Sequence, residues 1–377
     1  MLYVQKVRGS ARDRLPSIRG YQFHRSSQFR LTDTPFSETL NTFAMISIKD
    51  IARAAQVSHS TVSRALRDSP LVNRETSALI HKIAREQGYM VSAVARSLVN
   101  RRTNTIGVVV TTIADPFAGE VVGGIEEFFL PRDYSVILAT CHADHDRELR
   151  AVQSLHQRRV DGILVMASRV GAMYVPLLSE MRVPIVLINS HHPGEFVHSV
   201  RIDDFHGSQT AAGHLIGLGH ERIAYIGDRL GFQSDADRFA GYRRTLEGAG
   251  FGFDPALIAY GDGSPESGRS AMHQLLSLPS PPTAVFCYND RESLGAMHAV
   301  RERGLRIPQD VSICGFDDLF FSTYTDPPLT TIRQPKRDMG LMAGEMLHQL
   351  LGGEKPESQV TTGTLVVRES TGPRPVP

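Results

Sequence analysis

The segment Ser58-His59-Ser60-Thr61-Val62-Ser63-Arg64 puts small hydrogen-bonding side chains at the start of a helical pattern and a guanidinium one turn later. That arrangement suits base edges read by the N-terminal part of a helix lying in the major groove. Ser58 and Ser63 are placed to donate to phosphates. The solvated face of a small helical bundle would carry the same residue types. A second cluster, Cys141, His142, Asp144, His145 and Asp146, has the donors of a metal site on paper. His191-His192 does not, because adjacent side chains seldom chelate one ion. No serine, cysteine or lysine has a base and an orienting group at interpretable spacing, so catalysis is not expected. No GxGxxG follows a strand pattern and no GxxxxGK[ST] occurs, which disfavours dinucleotide and P-loop nucleotide chemistry.

Three capped helices would position the first set. Ser47 caps a helix over Ile48–Ala55, with Asp50 in its first turn, where the helix dipole favours an acid. Gln56-Val57 makes a turn, and Ser58 caps a second helix over His59–Leu66. Asn73 caps a third, whose Leu79, Ile80, Ile83 and Ala84 are expected to face inward, and Gly88 ends it. Two short helices across a tight turn with a third as brace form a helix-turn-helix unit. From Thr105 onward, strand and helix patterns alternate. Strands are expected at Ile106–Val110, Ser135–Ala139, Gly162–Val165, Ile185–Ile188, Ile223–Ile226, Ala284–Cys287 and Val311–Cys314. Most are unbroken apolar runs, as for strands buried on both faces. Helices are expected at Phe117–Phe129, Gly207–Leu218, Ala236–Ala249, Glu292–Arg303 and Met339–Leu351. This is an α/β pattern of parallel sheets, and its length exceeds one usual core, so two lobes are expected.

The charge is divided. The whole chain of 377 residues has net charge +1, yet residues 1–44 carry +4, residues 45–104 carry +6 and residues 105–377 carry −9. A basic head on an acidic body points to a polyanion at one end and a different task at the other. A hydrophobic content of 41% excludes a disordered or fibrous chain. No run of 18 apolar residues offers a membrane span, and residues 1–44 lack the apolar core of a secretory signal, so a cytoplasmic protein is expected. The three cysteines, Cys141, Cys287 and Cys314, sit in or beside apolar runs, as buried reduced thiols do.

The strings SIKDIARAAQVSHSTVSRAL and VNRETSALIHKIAREQGYMVSAVARSL resemble the DNA-binding head of the lactose-repressor/galactose-repressor family of bacterial transcription regulators. The resemblance continues through NTIGVVV, ADPFAGEVVGGIEE, RRVDGILV, RFAGYRRTLEGAG, PTAVFCYND, DVSICGFDD and PPLTTIRQP, covering about residues 45–371. It implies a tail or over-long translation start at 1–44, a helix-turn-helix domain at 45–90, a hinge helix and linker at 91–104, and a two-lobed effector-binding and dimerisation body at 105–377. The body would be built like type I periplasmic sugar-binding proteins.

The resemblance also implies residue roles. His59, Ser60 and Arg64 match base-reading positions, with Arg64 the candidate for guanine, and Lys49, Ser58, Thr61 and Ser63 join the DNA-binding set. Ser92, Ala95 and Leu98 fall on the hinge helix, with Leu98 as the minor-groove wedge. Val91-Ser92 stands where the family usually has proline and asparagine, and Gln56 where it usually has glycine. In the body, Arg238 and Asp290 are expected to clamp a hydroxyl-rich effector, with Asp115 and Phe117 beside it. Cys141–Asp146 falls on a polar strand-to-helix loop of the family, so no metal is expected there, nor any cofactor. The family's acidic-basic pair after the fourth strand is replaced by Asn189-Ser190-His191-His192. The chain has no tryptophan, which excludes a Trp-stacked pyranose. The expected protein is a homodimer on pseudo-palindromic double-stranded DNA, probed by a carbohydrate-like effector. A transporter's solute-binding protein would need a secretory signal and no head. A sugar-acting enzyme would need a catalytic set.

Overall fold

The computed structural model describes residues 46–89, 102–168, 170, 183–190 and 198–375. The chain separates into two compact units, 1–90 and 91–377.

In the first unit, α1 (Ile48–Ala54), α2 (His59–Ala65) and α3 (Arg74–Glu86) close around Ile51, Val62, Ala65, Ile80 and Ala84. Each start is held by local chemistry. Ser47 and Asp50 form a capping box, Ser58 Oγ accepts from Thr61 N at 3.1 Å, and Asn73 Oδ1 accepts from Thr76 N at 2.7 Å. The α1–α2 turn puts Gln56 at φ 55°, the left-handed region that favours glycine. Gly88, at φ 65°, ends α3 as expected. Leu79, expected inside, is 47% exposed on the outer face of α3; Ile80 and Ala84 fill the core instead.

The second unit holds two six-stranded sheets. The first has order β11-β5-β4-β3-β1-β2, from β1 (Thr105–Val110), β2 (Ser135–Thr140), β3 (Gly162–Met166), β4 (Ile185–Ile188), β5 (Ser199–Ile202) and β11 (Gln359–Thr361). The second has order β12-β10-β9-β8-β6-β7, from β6 (Ile223–Asp228), β7 (Ile258–Gly261), β8 (Ala284–Cys287), β9 (Ser312–Asp317), β10 (Thr330–Arg333) and β12 (Thr364–Val366). All pairings are parallel except β10 with β12. Among the described residues its helices are α4 (Pro116–Phe129), α5 (His145–Gln157), α6 (Asp204–Gly217), α7 (Gln233–Gly248), α8 (Pro265–Leu276), α9 (Asp290–Glu302) and α10 (Lys336–Leu351).

Both sheets are covered on both faces, which is why their central strands are unbroken apolar runs. β2 is the exception: as an edge strand it leaves Ile137 and Leu138 38% and 45% exposed. The chain passes between lobes three times, from β5 to α6, from β10 to α10, and from β11 to β12. α10 thereby returns to the first lobe and packs on α4. The approach is close enough that a Cβ at Gly124 would stand 2.1 Å from the Arg337 carbonyl oxygen, and one at Gly340 would stand 2.1 Å from that of Val121. Only glycine fits at either point.

Candidate functional site

In the head, α2 presents His59, Ser60 and Arg64 as exposed residues, and Lys49 is exposed on α1. Val62 and Ala65 are buried on the opposite face, so core packing fixes which side chains point outward. Ser58 Oγ lies 2.7 Å from Ser60 Oγ and 2.8 Å from Thr61 Oγ1, a hydroxyl cluster at the helix start. The Arg64 guanidinium has no hydrogen bond or ion pair among the described residues and remains available. Ser63 is already engaged: Arg67 donates from Nη2 to Ser63 Oγ at 3.0 Å and from Nε to Ser63 O at 2.9 Å. Ser92, Ala95 and Leu98 lie outside the described residues.

In the body, the carboxyl ends of the strands face a cavity of about 390 Å³ between the two lobes. Asp115 and Phe117 at the start of α4, with Asn189 after β4, line it from the first lobe. Arg238, Tyr288 and Asp317 line it from the second. Arg238 is buried and held on every side. Its Nε donates to Asp204 Oδ1 at 2.8 Å and its Nη1 to Tyr288 O at 2.6 Å. Its guanidinium carbon lies 3.7 Å from the centroid of the Phe316 ring. Burial opposes its charge, but Asp204, Tyr288 and Asp317 overcome that and keep it protonated. Asp317 Oδ1 lies 3.9 Å from Arg238 Nη1 and accepts from Gln334 Nε2 at 2.7 Å. Burial pushes the Asp317 carboxyl up against the pull of Arg238. Its backbone sits at φ 122°, a region L residues seldom occupy. Lys336 Nζ clamps it there by donating to the carbonyls of Asp317 and Asp318 at 2.7 and 2.8 Å. Asp115 caps α4 by accepting from Phe117 N at 3.1 Å, and burial raises its pKa.

Asp290 is not among the cleft-lining residues. It is fully buried, and its carboxylate accepts from Leu319 N at 2.8 Å, Ser322 Oγ at 2.7 Å and Thr331 Oγ1 at 2.5 Å. It ties the β9–β10 connection to α9, while Asp317 lies 3.9 Å from Arg238 at the cleft. Asn289, the preceding residue, does line the cavity, but its amide is committed: Oδ1 caps α9 at Glu292 N (2.7 Å) and Nδ2 donates to Gly263 O (3.3 Å). No group of three or more His, Cys, Asp or Glu residues that could hold a metal occurs among the described residues. Cys141 is a buried thiol, and Asp144 caps α5 at Arg147 N. No helix among the described residues is long and apolar enough to cross a membrane.

Residues 47–92 match the family model of bacterial regulatory proteins, lacI family, and residues 212–371 match that of a periplasmic binding protein-like domain. The transcriptional repressor PurR of Serratia proteamaculans is 37% identical over 318 residues, covering 84% of this chain and 93% of that protein. The chain belongs to the lacI family. The repressor CytR of Escherichia coli is 35% identical over 329 residues, covering 86% of this chain and 96% of its own. Among solved structures, the lac repressor dimer bound to operator and the anti-inducer ONPF has a TM-score of 0.79 at 28% identity, over 87% of this chain and 99% of that one. The regulator CelR in complex with cellobiose has a TM-score of 0.66 at 31% identity, over 86% and 99%. This lacI-family member is therefore a helix-turn-helix transcription regulator with an effector-binding body.

Asp317, in the GFDD string, lines the cleft without having been among the expected residues. Asn189, from the run that replaces the family's acidic-basic pair, also lines the cleft, at φ 50°. Asp290 carries its own expectation. In Asp290→Asn an amide N–H would face at least one of three donors, and the Leu319 N–H cannot rotate away. A loss of about 1–3 kcal/mol in urea unfolding is expected, with effector affinity of the folded protein unchanged. A loss of effector affinity at full stability would return Asp290 to the site.

Glu292, behind the cleft wall, is fully buried. Its Oε1 accepts from Gly263 N at 3.0 Å and its Oε2 has no hydrogen-bond partner among the described residues. Burial pushes its pKa up to about 9. A raised folded pKa gives stability that is full below the unfolded value and is lost as pH rises through the folded one. Between pH 5 and 8 this group alone should lower stability by about 1.4 kcal/mol per pH unit. Glu292→Gln, which mimics the protonated form, should flatten that slope in melts across this range. An unchanged slope would mean that Glu292 is not the group responsible.

Proposed function

We propose that this regulator binds a pseudo-palindromic operator as a homodimer and acts as a repressor whose DNA affinity is set by a hydroxyl-rich effector in the cleft. His59, Ser60 and Arg64 would read base edges, with Lys49, Ser58 and Thr61 on the backbone. Ser63 and its partner Arg67 would meet phosphate together. Ser92, Ala95 and Leu98 would form the hinge, with Leu98 wedged into the minor groove. The observation that carries the DNA reading is the exposed, unengaged Arg64 on a helix whose other face is core. The effector reading rests on Arg238 and Asp317, a donor and an acceptor 3.9 Å apart at the carboxyl ends of the sheet. Neighbouring sugar hydroxyls, each able to donate and accept, match such a pair. The relative CelR has been solved with cellobiose, which supports a sugar or sugar derivative here.

The cleft would bind its ligand without transforming it. A ligand favouring one lobe geometry shifts lobe closure, and by linkage any change in operator affinity has an equal counterpart in effector affinity. Selection from a random DNA pool tests the reading. Enriched sites should be near-symmetric, with half-sites about one helical turn apart. Enrichment of asymmetric sites, or of none, would refute it.

A further inference from the structure

We infer that Lys336 is the positioning residue that ties the effector end of the cleft to the first lobe, so that lobe motion and the placing of Asp317 change together. The inference rests on the reading of the cleft as the effector site and names the side chain through which that site acts.

Lys336 opens α10, just after the chain crosses from β10 to the first lobe, and it is 4% exposed. Its ammonium has three N–H donors, and three oxygens surround it. Two belong to the second lobe: the carbonyls of Asp317 at 2.7 Å and Asp318 at 2.8 Å. The third, Glu120 Oε2 at 3.5 Å, belongs to α4 of the first lobe. A buried ammonium is costly unless it is paired and hydrogen-bonded, so a residue that only filled space here would be apolar.

Each end of this tie is fixed within its own lobe. α10 follows α4 as one piece, because their backbones meet at Gly124 and Gly340 with no room for a Cβ. The Asp318 side chain is held in the second lobe by Arg333 Nε and Arg368 Nη2, both at 2.6 Å. Asp317 and Asp318 take φ 122° and 51°, conformations that persist only where surrounding bonds hold them. The Asp317 carboxylate that these torsions aim lies 3.9 Å from Arg238 Nη1. A rotation of one lobe on the other therefore has two possible results. Either the carbonyls follow the ammonium and the carboxylate turns relative to Arg238, or the bonds break and the ammonium keeps only Glu120. Both make the effector's acceptor and the lobe geometry interdependent, as linkage requires of a coupling residue.

Spin labels test this on the full-length protein without a ligand. Ser154 on α5 and Ser270 on α8 are exposed, one in each lobe, while the three native cysteines are buried. In dimers with one protomer labelled at Ser154→Cys and Ser270→Cys, Lys336→Met should broaden or shift the distribution of interlobe distances. An unchanged distribution overturns the inference. Should Lys336→Met fail to fold, the same two outcomes apply to Glu120→Gln, which keeps both carbonyl bonds. Calorimetry with ribose, glucose and cellobiose is the second measurement. A sugar that binds should differ at least about fivefold in affinity between free and operator-bound protein. In Lys336→Met that factor should fall to within about twofold of unity. If Asp317→Asn weakens the sugar and Lys336→Met keeps the factor, the inference falls and the cleft reading stands. If Asp317→Asn leaves the sugar's affinity unchanged, the cleft reading falls and takes the inference with it. If no sugar binds, the label distances alone decide the inference.

Discussion

Asp317→Asn is expected to raise the effector concentration for half-saturation ten- to several-hundred-fold, corresponding to about 1.5–3 kcal/mol for a lost charged hydrogen bond. Operator affinity without effector should stay within about twofold, because Asp317 lies in the body and the head carries the DNA contacts. Arg238→Ala should do more. Besides its own bonds to the ligand, it strips the partner from Asp204, whose side chain is 9% exposed. Breaking a buried pair on one side costs about 3–5 kcal/mol of stability. Adding Asp204→Asn should recover much of the stability and none of the effector affinity. Titration calorimetry beside urea unfolding measures both. If the double variant regains effector binding, Arg238 holds the fold and does not touch the ligand. If Asp317→Asn binds like the parent, the acceptor at this end of the cleft is another oxygen.

How far such roles can be read from the sequence depends on the range of the interactions that define them. The caps at Ser47, Ser58 and Asn73 act within three residues, and all three helix starts follow from them. The central strands β1, β3, β4, β6, β8 and β9 are legible because burial on both faces demands apolar runs. β5, β7, β10, β11 and β12 have three or four residues with polar members interspersed, too short for a period to show. α5 and α8 carry their apolar residues at helical spacing among Arg, Glu, His and Gln, and the sequence reading did not single them out. In the sequence, Asp290 and Asp317 are alike, each an acid at or just after the end of an apolar strand. Leu319, Ser322 and Thr331 reach Asp290 from 29, 32 and 41 positions away and close it off. Only the folded chain reveals that enclosure, and only there does Lys336 meet the carbonyl of Asp317.

Arg64→Ala is expected to weaken operator binding by about 1–3 kcal/mol and to relax specificity at one base pair in each half-site. Three observations motivate this. Arg64 lies one turn into α2, on the face opposite Val62 and Ala65. Its guanidinium has no partner among the described residues, so no internal bond must break before it meets DNA. Arg67, three residues further along the chain, is bonded to Ser63 and suited to phosphate rather than to a base edge. The fork geometry of a free guanidinium matches the two acceptors of guanine in the major groove. Lys49→Ala is the control. An ammonium on phosphate contributes to all sequences about equally, so its loss should reduce specific and random binding together and make the salt dependence shallower by about one counterion. Competition binding with operator variants and random duplex, at several salt concentrations, separates the two. If Arg64→Ala loses affinity equally for operator and random DNA, it is a phosphate contact and base reading must come from His59 and Ser60. If Lys49→Ala changes the preferred base, α1 reaches further into the groove than a backbone contact allows.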